Sequence, residues 1–200
     1  SFLILPDWRG RQLHLVMAGV VDAHVRYLGQ VLEQYRSGMR DDLPYRIARR
    51  DMHNAEAALS VALSNRLREP GRYRRDLDAA FRFLAVSNTA LGYLSGLGAH
   101  RGALDGDADE AVFAAGAHLQ RALAQIAAAL SARRAPPVVD AAAETAMAEA
   151  LERAGDATDD PRRRLLGTQL ALLLRLLPDL RNAAEAAGAP AANSRLAAAG

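Results

Sequence analysis

Three consecutive stretches of apolar periodicity, each of about 27–29 residues and parted only by short breaks, constrain this chain more than anything else in it. In the first, Leu13, Val16, Val20, Tyr27, Leu28, Val31 and Tyr35 recur at helical spacing behind a capping Asp7. "SGMRDD" ends it, because Gly38 can take the left-handed conformation that stops a helix, while Asp42 caps the next and Pro44 fits its first turn. The second stretch turns Ile47, Ala55, Leu59, Ala62, Leu63 and Leu67 inward and halts at "EPG". The third does the same with Leu77, Phe81, Leu84, Leu91 and Leu94. Helices of matched length, each on the order of 40 Å, joined by short turns, pack as an up-down bundle.

Beyond them the pattern continues in shorter pieces. The expected helices are 8–37, 42–68, 72–101, 108–133, 138–154 and 161–187, with "APP" and "GDATDDP" as the later breaks. The predicted fold class is therefore all-α: long antiparallel helices with additional shorter C-terminal ones, in a single domain over 1–187. The Ala/Gly/Pro-rich 188–200 is expected to be a flexible tail. Abundant Ala and Leu with few β-branched residues agree with this, because those side chains lose little freedom in a helix.

Composition also excludes chemistries. There is no cysteine, hence no disulfide, thiolate ligand or thiol nucleophile. All basic residues are arginine, so lysine Schiff-base and P-loop chemistry is absent. His14, His24, His53, His100 and His118 lack metal-ligand spacing, and no nucleophile elbow or phosphate-binding loop occurs. Neither an enzyme nor a cofactor is expected. Residues 1–101 carry 15 Arg against 10 acids, and 102–200 carry 10 against 13. That asymmetry is small and the acids are interleaved, which speaks against nucleic acid. No stretch is long and apolar enough for a membrane span; "LALLLRLL" holds an arginine.

One cluster stands out. Arg46, Arg49, Arg50 and His53 share two helical turns and form a candidate site for a carboxylate, which arginine grips bidentately. The competing reading is the polar wall of a packing helix. Hairpin geometry about Pro70 sets Asn54 level with Ser87 and Asn88, predicting hydrogen bonds between the second and third helices. It sets Asp41 and Asp42 beside His100 and Arg101 as an ion-pair clasp at the open end. Gly92 and Gly96, four apart in "GYLSGLG", predict a close helix approach. "RRR" at 162–164 is expected to be a solvated first turn, open to an acidic patch or anionic lipid.

"YRSGMRDDLPYRIARRDMHNAEAALSVALSNRLREPG" followed by "FRFLAVSNTALGYLSGLGAHR" resembles the C-terminal soluble region of YccS/YhfK-type inner-membrane proteins of the fusaric-acid-resistance (FUSC) superfamily. The resemblance covers about residues 6–101 and returns over "PRRRLLGTQLALLLRLLP"; "SFLILPDW" resembles the exit from that family's second membrane block. It implies a helical domain on the cytoplasmic side of the bacterial inner membrane, attached to an aromatic-acid efflux transporter. It implies no catalytic residue. On this reading the domain regulates or assembles the transporter, its partners being the membrane portion of the same chain and a second copy. A ligand sensor using Arg46, Arg49, Arg50 and His53 is the alternative.

Overall fold

The computed structural model describes residues 8–38, 43–67, 74–100 and 110–188. Among them are six helices and no strand: α1 (Trp8–Ser37), α2 (Leu43–Leu67), α3 (Arg74–Ala99), α4 (Glu110–Ser131), α5 (Ala141–Asp156) and α6 (Pro161–Gly188). α6 runs through Gly188, so that residue belongs to the helix rather than to the expected tail.

Each helix buries positions spaced three or four apart. α1 turns in Leu13, Met17, Val20, His24, Tyr27, Val31 and Gln34; α3 turns in Ala80, Phe83, Ser87, Ala90, Leu94 and Leu97; α6 turns in Leu166, Leu170, Leu173, Leu177, Leu180 and Ala184. A mean spacing near 3.5 keeps one seam facing its neighbours along the whole helix, which is how bundles pack. α1 lies mainly on α4 and α3 mainly on α6, with α4 against α6; α2 covers the outer side of α1 and α5 that of α6. One continuous hydrophobic core links all six.

Neighbouring contacts fix the directions. Gly29 faces Gln120 and Gly116 faces Leu32, while Arg36 stacks over the Phe113 ring at 4.7 Å, so α4 runs antiparallel to α1. Tyr35 donates to the Leu97 carbonyl at 2.9 Å, joining the C-terminal ends of the parallel pair α1 and α3. Gly167 meets Leu151 and Gly155 meets Arg164, as antiparallel α5 and α6 require. The up-down order holds throughout.

Helix ends follow local chemistry. Gly38 stops α1 at φ 71°, its N–H returning to the Gln34 carbonyl. Asp140 caps α5, accepting from the Ala142 and Ala143 N–H groups, so this helix begins three residues later than its apolar pattern suggests. Asp160 accepts from the Arg162 N–H at 2.9 Å and starts α6. The caps expected at Asp7 and Asp42, and the clasp of Asp41 and Asp42 with Arg101, lie outside the described residues.

The expected inward faces of α2 and α3 need rotating by about one residue. α2 buries Tyr45, Ala48, Met52, Glu56, Leu59 and Leu63, leaving Ile47 and Leu67 exposed. α3 buries Ala80 and Ala90, with Leu77, Phe81, Leu84 and Leu91 only partly covered beside them. Helices approach closest where side chains are small, so alanines take the centre line and larger residues flank it. The glycine prediction shifts likewise. Gly92 faces open space, Gly96 touches Gln169, and the tight approach is at Gly98.

Candidate functional site

The structure keeps the cluster that the sequence singles out together, on one exposed flank of α2. Arg46, Arg49, Arg50 and His53 all sit on the outward side of α2 and are exposed, while Tyr45, Ala48 and Met52 between them point into the core. Arg50 is engaged by its own neighbour, its Nε and Nη2 donating to Asp51 Oδ1 at 3.3 and 3.1 Å. The four side chains form one exposed polar surface. Asn54 and Asn88 are both exposed as well, so the predicted hydrogen bonds between them are not made. The polar contact between these helices exists nearby with different residues.

That contact is a cluster of His24, Glu56 and Ser87, one residue each from α1, α2 and α3. Ser87 Oγ donates to Glu56 Oε1 at 2.5 Å, and His24 Nε2 stands 3.1 Å from the same oxygen. His24 is fully buried. Its approach to the carboxylate is not aligned as a hydrogen bond, and its Nδ1 and the second oxygen of Glu56 have no hydrogen-bond partner. A carboxylate in an apolar seam is tolerated only with a compensating donor or charge. Here Ser87 supplies the donor, and the His24 ring lies against the same oxygen.

A second cluster does the same job in the other half. Glu144 of α5 is buried, and Arg181 of α6 grips it bidentately, with Nη1 to Oε2 at 2.7 Å and Nη2 to Oε1 at 2.6 Å. His118 of α4 adds an Nε2 contact to Oε1 at 2.9 Å. Burial pushes the Glu144 carboxyl up. The hydrogen bonds and charges of Arg181 and His118 outweigh that and hold it below the ordinary carboxylate value. Each cluster thus ties three helices through one buried carboxylate.

A third polar set closes the end where α1, α2 and α3 meet. The Tyr27 and Tyr45 hydroxyls are 3.0 Å apart, and Tyr45 donates to the Gly98 carbonyl at 3.3 Å. A Cβ at Gly98 would collide with the Tyr27 hydroxyl, so only glycine admits this arrangement. The arginine run of α6 is partly architectural too. Arg164 donates to the Gly155 and Thr158 carbonyls at 3.3 and 2.8 Å, closing the C-terminal end of α5.

Sequence reasoning placed Ser87 in a hydrogen bond between α2 and α3, which it makes, but missed its partner Glu56 and missed Glu144 and Arg181. The signal was present: polar residues recurring in phase with the buried seam, at positions where a solvated side chain has no place. Among the described residues no group of three His, Cys, Asp or Glu side chains could hold a metal ion. What these clusters can do is lock helices together.

Comparison with known proteins gives three relatives. The chain is 45% identical over 98 residues to "Inner membrane protein YccS" of Escherichia coli K12, a match covering 49% of this chain and 14% of that protein. An uncharacterised Haemophilus influenzae protein is 42% identical over 96 residues, 48% of this chain and 13% of its own length. An uncharacterised Neisseria gonorrhoeae protein, ORF2, is 34% identical over 94 residues, 46% and 22% respectively. No family model and no solved structure matches. The matched region is thus about half of this chain and less than a quarter of each relative. None of the helices, among the described residues, is long and apolar enough to cross a membrane. Over about half its length, then, this all-helical chain is homologous to a YccS-like inner-membrane protein.

Proposed function

We propose that the chain is a non-spanning helical domain of a YccS-like inner-membrane protein, lying on the cytoplasmic side and serving assembly or regulation of a FUSC-type efflux transporter for aromatic acids. The observation that carries this reading is the 45% identity to an inner-membrane protein in a chain whose described helices cannot cross a bilayer. The polar clusters support it: they join helices in the interior, where they serve rigidity rather than turnover of a substrate. The domain works by packing, its first partner being the membrane portion of the same protein.

Two measurements test this. In spheroplasts, protease added outside should leave an epitope in the α4–α5 connection intact, and inverted vesicles should expose it. Cleavage in spheroplasts would overturn the cytoplasmic placement. Cells lacking the full-length protein should accumulate added aromatic carboxylates more than the parent strain. Restoring it with the Glu56→Ala or Gly98→Ala change should rescue poorly. Equal accumulation in all strains would remove the efflux reading.

A further inference from the structure

Of the six large hydrophobic residues left exposed among those described, four lie on α2: Leu43, Ile47, Val61 and Leu67. Three of them fall into register. Leu43, Ile47, Asn54, Ala58 and Val61 form a single ridge on the side of α2 turned directly away from its buried stripe, at about 100° per residue. α2 is an outer helix, resting on α1 and more lightly on α3. It therefore carries two apolar faces and covers only one.

We infer that the outer face of α2 is where a second copy of this chain docks, antiparallel, about a two-fold axis passing beside Asn54. The sequence of the ridge is self-complementary about that residue. Ile47 and Val61 lie seven residues either side of Asn54, so each meets the other across the axis, and the two Asn54 amides meet at the centre. An amide pair at the centre of an apolar helix seam fixes register, because any slip leaves it unpaired. Charge selects the antiparallel direction. Arg46, Arg49 and Arg50 crowd the N-terminal half of α2, whereas residues 54–65 carry one charge, the inward Glu56. Antiparallel pairing sets the arginines of one copy against residues 58–62 of the other, which carry no charge, toward the negative end of its helix dipole. Parallel pairing would stack arginine on arginine. The basic cluster thus becomes an orientation device for a protein contact.

This names the partner in the assembly role proposed above and rests on that role, but its test is separate from the topology and efflux measurements and can fail while they succeed. The chain has no native cysteine, so Asn54→Cys places a unique thiol on the axis. In the 200-residue chain, Cys at 54 should cross-link with a short bis-maleimide to a species of doubled mass, whereas Thr89→Cys, exposed on α3, should not. Sedimentation over a concentration series should show self-association. Ile47→Asp with Val61→Asp should weaken it by about tenfold or more and abolish the cross-link, with the helical circular dichroism unchanged. A monomer at every concentration with no cross-link at 54 would overturn the inference. So would a dimer indifferent to the Asp pair, or one cross-linked equally at 89; either result places the contact elsewhere.

Discussion

Adding one carbon at Gly98 drives it into the Tyr27 hydroxyl and crowds that of Tyr45, groups that tie α1 to the start of α2 and the end of α3. Gly98→Ala should therefore lower unfolding free energy by about 1–3 kcal/mol, the overpacking penalty exceeding alanine's helix-propensity gain of about 1 kcal/mol. Urea unfolding measures it, and a more stable variant would contradict the tight approach. Glu144 makes a pH-dependent prediction. Its carboxyl is depressed in the folded state, since Arg181 and His118 outweigh the upward push of burial. Its contribution is therefore fully present above the ordinary value of 4.5 and lost as pH falls through the lower folded value. Glu144→Ala should cost about 3 kcal/mol at neutral pH, because it strands a largely buried guanidinium, and the cost should shrink below pH 4.5. An undiminished cost in acid would refute the charge-based account. At this scale the sequence was least legible. Asn54 and Asn88 attract attention as amides in mid-helix, yet they face solvent, while Glu56 and Ser87 occupy the seam. A shift of one position turns a helical side chain by about 100°, enough to exchange a buried residue for an exposed one.

Elements were far more legible than single side chains, since their limits are written by caps and breakers. Gly38, Asp160 and Pro161 do what their chemistry demands, and the six segments emerge within a few residues of their expected ends. The stripes of α2 and α3 were harder because leucine and phenylalanine mark a helix visibly while alanine does not; Ala48, Ala80 and Ala90 hold the centre line. One helix end breaks its local rule. Arg133 takes φ 52° after α4, with its N–H donating to Leu130 and that of Arg134 to Ala129, the paired bonds of a Schellman ending. Glycine adopts this conformation freely and arginine does not. Arg133→Gly should stabilise the protein by about 0.5–1 kcal/mol, read as a higher midpoint in urea. A lower midpoint would mean that the arginine side chain stabilises the fold by more than its backbone strain costs.

At the scale of the whole molecule, matched helix lengths and short turns predict an up-down bundle, and the chain forms one. What they could not reveal is which helices share the centre. α1 packs chiefly on α4 and α3 on α6, so the centre is built from both halves of the chain. Periodicity reports which face of a helix is apolar and is silent about what covers it. The arrangement has a consequence for folding. Each curated relative matches over only about half of this chain. A half containing α1–α3 would nonetheless expose the apolar seams of α1 and α3 that α4 and α6 cover. Burial is the dominant stabilising term, so a fragment that loses a whole layer of the core should not hold a fixed structure. Expressed separately, residues 1–101 and 102–200 should each give a broad, non-cooperative thermal transition and bind a hydrophobic dye. Mixed in equal amounts, they should regain one cooperative transition and lose the dye, because the seam between α1, α3, α4 and α6 re-forms across the cut. Cooperative melting of residues 1–101 alone would mean that α1–α3 stand as an independent unit, and that the second half is an addition to that unit rather than part of its core.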